Sequence, residues 1–504
     1  MPFTSVGKFV LLALLCAVLA VFYTPKINLV TADLGRHIKN GEIFSTHRTP
    51  VTTNYYSYTE PEKETVNHHW GAGVVFYLIG QWFGFKGLSL FHAGLLLASF
   101  LLAFYTSARR TCFSLAFLAA VVSIPLITSR LEIRPETFSY LFFFIFYALL
   151  SEYRRGRVNR KWLWIIPVLE LAWVNTHIFF VFGLLLTALF ALDAKINPRN
   201  KQSFKTLVGV LGVSLMAACV NPSGIKGLLA PLTIFQDYGY MLAENQSVIF
   251  MQKRFARNAL YPYFETVFAF SVLSFAFLKR ETAREHIVEI LLFVIFSALA
   301  WKTIRSIALF GFVWIPVVSV LTHELFKQRR IFSQACLVLS LVIFLAGFFY
   351  QGSLFRPRAA GGGLYEGVNA SAEFFKVNHI QGPIFNNYDI GGFLIYHLFP
   401  DTRVFVDNRP EAYGGDFFKT IYVPMQEDEN IWRAMDARYG FNAIYFFRHD
   451  MTPWAQPFLI RRVNDPQWVP VFVDQLTIIL LKRNARNEAL INRYALPQRM
   501  FQVR

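Results

Sequence analysis

The chain has 504 residues, of which 55% are hydrophobic and 16% charged, with 54 Phe and a mean hydropathy of +0.39. That balance excludes an ordinary soluble enzyme and points to a polytopic α-helical membrane protein. The formal net charge of +17 is carried in short loops between apolar runs, so membrane topology explains it better than a nucleic-acid partner does.

Apolar runs long enough to cross, or nearly cross, a bilayer lie near 9–24, 87–107, 112–129, 137–152, 162–174, 177–193, 205–220, 263–278, 287–301, 305–322 and 331–350, about eleven spans in all. The first resembles a signal peptide, but the many spans after it favour a retained helix. The short pair 162–174 and 177–193 meets at Asn175-Thr176-His177, a polar break that suggests a cavity inside the protein. Cys16, Cys112, Cys219 and Cys336 lie singly in or beside apolar runs, with no C-x-x-C pair, which argues against a disulfide framework or a zinc site.

The loops alternate in charge. Lys8; Arg109 and Arg110; Arg154 to Lys161; Lys195 to Lys205; Lys279 to Arg284; and Lys327 to Arg330 mark one set, in which roughly one residue in three is basic, and this set reads as cytoplasmic. The expected topology is a multi-pass protein of the cytoplasmic (inner) membrane with its N-terminus inside. Residues 31–70, 130–136, 221–262 and everything after 351 then face the other side.

The stretch 31–70 is unusually polar for such a chain, holding Asp33, Arg36, His37, Glu42, His47, His68, His69 and Trp70. Asp33 to Phe44 carries a helix-start signal at Thr31 or Asp33, and Gly41 is expected to soften the helix end. Trp70 to Phe83 is apolar but short, and reads as an interfacial or re-entrant helix ended by Gly84.

Residues 351–363 read as a linker, after which the chain alternates between strand and helix patterns. Helices are expected at 368–378, 390–398, 431–439 and 454–463. Strands are expected at 383–385, 403–406, 443–446, 469–473 and 477–481, the last two forming a hairpin across Asp474-Gln475. This pattern predicts a small C-terminal α/β domain with a largely parallel sheet. The expected organisation is a membrane domain over 1–350 with a first outer loop at 25–86, the linker, the α/β domain at 364–483 outside the cytoplasm, and a polar tail at 484–504.

The polar loop also carries a pattern. An acid at Asp33 is followed by Leu-Gly-x-His, Gly-Glu-Ile, Thr-Pro-x-Thr-x-x-Tyr-Ser-Tyr-Thr and Asn-His-x-Trp. Further on come RPETFSY (Arg134–Tyr140), WVNTHIFFVFG (Trp173–Gly183), VNPSG (Val220–Gly224), FNNYDIGGFLIYHLFP (Phe385–Pro400) and VFVDNRPEAYG (Val404–Gly414). Together these resemble a large group of bacterial membrane proteins of GT-C type, related to the protein mannosyltransferases and aminoarabinose transferases of the cell envelope. The resemblance runs from Ala32 to about Lys482. It implies a glycosyltransferase that moves a hexosyl or pentosyl group from a polyprenyl-phosphate-linked sugar to a glycan, lipid or protein acceptor at the outer leaflet. It also implies that an acid of the first outer loop, Asp33 by motif position, acts on the acceptor. Members often carry a second acid beside the first, where this chain has Thr31 and Ala32, and an acid between His and Trp, where it has His69.

Asp33 is the expected base or charge-stabilising carboxylate, against a plain N-cap role. His37, one helical turn on, is its expected catalytic partner. Arg134 and Arg305, at the ends of spans, are expected phosphate clamps rather than snorkelling cations. Glu136, Asn175, His177, His68 and Trp70 are further candidate substrate-binding residues. Glu244 is a candidate second carboxylate, with Asp237 behind it. No cofactor is implied with certainty, but His68 and His69 with Asp33 could take a divalent metal ion. In the α/β domain Asp389, Gly391, Gly392, Asp407, Arg409 and Tyr413 fall at strand ends and the loops after them. The alternative to an enzyme is a non-enzymatic lipid-glycan transporter or a membrane assembly scaffold.

Overall fold

The computed structural model describes residues 4–197, 201–233, 239–326, 330–350, 352, 354–357 and 361–501. Arg199, Asp237, Lys327, Arg329 and part of the 351–363 stretch lie outside the described residues. The chain forms two compact units. A helical unit comprises residues 1–26, 86–231 and 241–362. A mixed unit comprises residues 27–85, 232–240 and 363–504.

The helical unit is a membrane body. Among the described residues five helices are long and apolar enough to cross a bilayer: Ser5–Phe22, Trp70–Ala108, Ile178–Ile196, Ile304–Phe326 and Phe332–Phe349. Shorter apolar helices accompany them, including Phe113–Ile127 and Phe204–Ala218. Every residue from Ile307 to Leu321 is buried, and that stretch packs against the helices Phe113–Ile127 and Ile287–Lys302. Gly311 has no side chain to hold the first of these off, because a Cβ there would overlap Leu126 and Ile127. The indole N–H groups of Trp173 and Trp314 donate to Ser139 Oγ and Ser271 Oγ at 2.7 and 2.8 Å, so these large apolar side chains are buried without stranding a donor.

One end of this unit is tied by a buried charge network. The Glu289 carboxylate has no solvent exposure and accepts from Arg110 Nη1 at 2.5 Å and Arg154 Nη2 at 2.8 Å. Arg110 also donates to Tyr147 Oη at 2.8 Å. With Asp193 Oδ2 3.8 Å from Arg154 Nη1, two carboxylates compensate two guanidiniums where water is excluded. The basic residues that read as topology signals therefore also have packing partners.

The mixed unit holds a four-stranded sheet, β1 (Ile384–Asn386), β2 (Ala443–Phe447), β3 (Trp468–Val473) and β4 (Thr477–Lys482), in the order β1-β2-β4-β3. Only β1 and β2 run parallel. The β2/β4 and β3/β4 pairs are antiparallel, so the expectation of a largely parallel sheet is corrected. The alternating pattern ends in a hairpin, and that hairpin supplies most of the pairing. The expected strand at 403–406 is also corrected, to a single parallel bridge between Ser57 and Val404. Its backbone groups are taken by other partners. Phe405 N donates to Asn386 Oδ1 and Val406 O accepts from Asn386 Nδ2. Val404 pairs with the backbone of Tyr56 and Tyr58.

Residues 27–85 fold with the C-terminal part of the chain in this unit. The helix Leu34–His47 is wedged by glycines on two sides. A Cβ on Gly35 would lie 2.7 Å from Gly392 O, and one on Gly41 would overlap Gly73 O. Gly41 is thus a contact point inside the helix and not its end. Backbone this close leaves no room for a methyl group. The helix Trp70–Ala108 contains a non-helical residue at Gly84 (φ 63°, ψ −167°), and the division between units falls directly after it, between Phe85 and Lys86.

Two stability measurements follow from this packing. Gly41→Ala is expected to cost about 1–3 kcal/mol through overpacking, lowering the Tm in detergent. Gly94→Ala, with open space around its Cβ position, should not lower it. Glu289→Ala strands Arg110 and Arg154 and should cost about 3–5 kcal/mol, read in the same thermal assay.

Candidate functional site

The expected site residues fall into two groups, one in each unit. In the helical unit Glu244, on a short 3-10 turn at Ala243–Asn245, is ringed by guanidiniums. Its Oε2 accepts from Arg130 Nη2 and Arg134 Nη1, both at 3.0 Å, and Arg305 Nη1 lies 3.8 Å from Oε1. Arg130 also pairs with Glu136, itself 6% exposed, and Arg134 with Glu132 at 2.6 Å. Three arginines and three carboxylates thus form one connected cluster. Burial pushes the Glu244 carboxyl up, but Arg134, Arg130 and Arg305 outweigh it and hold the group well below the ordinary carboxylate range. Arg134, Glu136, Glu244 and Arg305, widely spaced in sequence, are brought together. Arg130 completes the cluster and was not singled out from sequence, because its position between apolar runs reads as an interfacial cation.

Asn175 and His177 lie elsewhere in the helical unit. Asn175 Nδ2 donates to Leu171 O and Val220 O, both at 2.9 Å, tying the helix Ile165–Val174 to the start of the VNPSG loop. His177 is 7% exposed, and its Nδ1 lies 2.8 Å from Ser139 Oγ, which also accepts from Trp173. These contacts bind the polar break into the helix packing. Sequence reading also passed over Glu170, a fully buried carboxyl in that same helix. It has no hydrogen-bond partner among the described residues, and Gly183 leaves the space it occupies. Its signal was available as the single acid in IIPVLELAWV.

The mixed unit holds the other group. Asp33 sits at the N-cap of Leu34–His47, but its side chain makes no cap hydrogen bond. Its Oδ1 instead accepts from Asn408 Nδ2, and Asn408 Oδ1 accepts from Arg36 Nε at 3.2 Å. Asp33 is half-buried, whereas Arg36 and His37 are 5% and 2% exposed. The His37 ring meets His69 edge-on at 5.4 Å and Phe76 at 6.5 Å. His68 is buried, and Trp70 packs on Phe44 at 4.7 Å.

Beside Asn408, Asp407 is fully buried and chelates Arg409. Its Oδ1 accepts from Arg409 Nε at 2.8 Å, and its Oδ2 accepts from Nη2 at 2.7 Å and from Tyr413 Oη at 3.1 Å. Arg409 also donates to Asn54 Oδ1 at 2.8 Å and stacks over Tyr56, whose hydroxyl donates to Asn40 Oδ1. Gly391 is required here, since a Cβ would overlap Asp407 Cα. The loop 407–413 is therefore held rigidly against residues 33–56. Burial pushes the Tyr388 hydroxyl well above its usual value, and the charges of Glu411, Asp33, Asp389 and Asp407 push it the same way, which makes this an acidic neighbourhood. Among the described residues no three His, Cys, Asp or Glu side chains are placed to hold a metal ion, so His68, His69 and Asp33 do not form the metal site considered from sequence.

No protein-family model matches the chain, and no curated protein matches it. Solved structures do. The archaeal oligosaccharyltransferase AglB from Archaeoglobus fulgidus, in complex with an inhibitory peptide and a dolichol-phosphate, matches at TM-score 0.60 and 11% identity, over 92% of this chain and 73% of its own. The same enzyme in complex with Zn and sulfate matches at 0.56 and 10% identity, over 94% and 73%. The arabinofuranosyltransferase AftD from Mycobacteria matches at 0.51 and 15% identity, over 94% of this chain and 40% of its own.

The Glu244 cluster makes a pH-dependent prediction. A carboxylate depressed in the folded state stabilises fully above its ordinary pKa, and that contribution is lost as pH falls toward the depressed value. Wild type should therefore lose stability on acidification below about pH 4.5. Glu244→Gln should be less stable by about 2 kcal/mol at neutral pH, with a smaller acid-dependent drop, read as Tm against pH in detergent.

The fold in which these two groups are set is shared with the oligosaccharyltransferase AglB and the arabinofuranosyltransferase AftD.

Proposed function

We propose that the chain is a membrane glycosyltransferase that moves a sugar from a polyprenyl-phosphate donor to an acceptor on the extracytoplasmic side of the cytoplasmic membrane. The fold shared with two glycosyltransferases supports this reading, and one of those was solved with a dolichol-phosphate. The observation that carries it is the state of Asp33. A residue at a helix N-cap gives up the capping bond, and its half-buried carboxylate is held by an amide from a distant part of the chain. A structural cap would be spent on the helix's own N–H groups. A half-buried carboxylate turned away from its own helix and toward a distant loop suits a group that must meet a substrate.

In this reading Asp33 takes the proton of the acceptor hydroxyl or amine as that nucleophile attacks the anomeric carbon. The polyprenyl phosphate leaves with the electrons of the broken glycosidic bond, so the anomeric centre is inverted. His37, one turn along the same helix, supports the carboxylate. The leaving phosphate needs cations, and Arg134 and Arg305 are the proposed contacts, with their planar forks suited to phosphate oxygens. Glu244 holds those guanidiniums in place, and Glu136 holds Arg130 beside them. His68 and Trp70 frame the helix that carries Asp33, and Asn175 and His177 shape the polar break.

The test uses purified full-length protein in lipid nanodiscs, with radiolabelled polyprenyl-phosphate sugars and a mixture of envelope glycans and lipids as acceptors. Wild type should transfer label. Asp33→Asn should lower transfer by about 10²–10⁴-fold, the usual worth of a general base, while its Tm and nanodisc insertion stay as in wild type. Unchanged transfer by Asp33→Asn would rule out the role given to this carboxylate.

A further inference from the structure

Glu244 faces three guanidiniums and cannot serve all of them. A carboxylate has two oxygens. Glu244 Oε2 accepts from Arg130 and Arg134, both at 3.0 Å, while Oε1 lies 3.8 Å from Arg305 Nη1, beyond hydrogen-bond length. Among the described residues the Arg305 side chain makes no hydrogen bond, although it is 14% exposed. A guanidinium carries five donors in a fixed fork, and here none is taken up by an acceptor of the protein. The contrast with Glu289 is direct. That carboxylate has no exposure and meets its two guanidiniums at 2.5 and 2.8 Å, whereas the Glu244 side chain is 27% exposed.

The cluster is also built to survive the departure of this one carboxylate. Arg130 keeps Glu136, and Arg134 keeps Glu132, so both cations stay compensated without Glu244. The turn Ala243–Asn245 is tied to the Arg305 segment by the backbone, since Ile304 N donates to Gln246 O at 3.0 Å. The Glu244 side chain can therefore swing out while its turn stays in place. A dianionic phosphate has three acceptor oxygens arranged tetrahedrally and about twice the charge of a carboxylate. It can present one oxygen to each guanidinium, which the flat carboxylate cannot.

We propose that Glu244 is a resident stand-in for a dianionic phosphate group: it keeps Arg130, Arg134 and Arg305 assembled, and a phosphate that enters displaces it and takes up the Arg305 fork. The inference rests on the reading of Arg134 and Arg305 as phosphate contacts. It also names which form of the lipid the site favours. A polyprenyl-phosphate sugar is a diester with two free oxygens, and the polyprenyl phosphate left after transfer is a monoester with three.

Binding is measured on purified full-length protein in lipid nanodiscs with three probes: a short-chain polyprenyl phosphate, the uncharged polyprenol of the same chain, and inorganic phosphate. Glu244→Gln keeps the shape of the side chain and removes its charge. It should bind polyprenyl phosphate about tenfold more tightly than wild type, the scale of one competing charge-assisted pair, with polyprenol binding unchanged. Arg305→Met should weaken polyprenyl phosphate binding about tenfold, and Glu244→Gln/Arg305→Met should lose most of the gain. Inorganic phosphate should raise the Tm of Glu244→Gln more than that of wild type, because it fills the place of the lost charge. Tighter binding of inorganic phosphate without tighter binding of the lipid would uphold the displacement and assign the site to free phosphate. Equal or weaker binding of both phosphates by Glu244→Gln overturns the proposal, and so does a variant that is unfolded without phosphate and not recovered with it. Either result beside a weakened Arg305→Met leaves the phosphate contacts of the proposed function standing. An Arg305→Met that binds polyprenyl phosphate as wild type does overturns those contacts themselves.

Discussion

Everything distinctive in the mixed unit depends on how closely the backbone of the helix Leu34–His47 is approached. Gly35 meets Gly392, and Gly41 meets Gly73, so two neighbouring segments come within backbone contact of the same short helix. Close approach of this kind replaces side-chain interdigitation with direct backbone packing, and it fixes rotation as well as distance. Rotation is what matters for Asp33 at the head of the helix. With Gly392 against Ala32 and Gly391 against Asp407, the carboxylate is brought to Asn408. The same contacts bury Arg36 and His37, polar side chains that would otherwise face water and destabilise nothing by doing so.

Both units handle charge in the same manner. Ionisable groups are concentrated into few clusters, and each cluster is compensated. Glu289 serves two arginines, Glu244 three, and Asp407 chelates one. Burying an uncompensated charge costs several kcal/mol, so a chain with 16% charged residues has strong reason to spend its acids where its arginines are. The Arg134 and Arg305 guanidiniums are therefore not bare cations. They sit opposite a carboxylate that an incoming phosphate, with its larger charge and three acceptor oxygens, would have to match or replace.

Much of this was legible in the sequence, for identifiable reasons. The apolar runs matched helices such as Glu136–Arg154, Ile287–Lys302 and Arg330–Phe349, because hydropathy over a span-length window is a strong signal. Helices and strands of the C-terminal region, such as Glu429–Tyr439 and β2, were legible from their periodicity. What was hidden depends on contacts that are distant in sequence. The run at 403–406 has strand composition, but its ladder partners are the Asn386 side chain and the backbone of Tyr56 and Tyr58. Nothing local marks that substitution. Gly41 reads as the soft end of a helix because that is a common role of glycine, and only the facing Gly73 reveals the other one. Arg130 and Asn408 were hidden for the same reason, since each reaches a partner more than a hundred residues away, Glu244 and Asp33.

Asp33 shows why motif position and local propensity must be weighed against tertiary contacts. An Asp before an amphipathic run is an ordinary N-cap, and propensity alone would leave it there. The capping bond is worth about 1 kcal/mol, a contribution the helix gives up when the side chain turns to Asn408. The helix is held instead by close packing at its glycines. A fold that stabilises a helix by packing at both glycines is free to commit its first acid elsewhere. The side-chain direction that follows is a property of residues 391–409 as much as of residue 33.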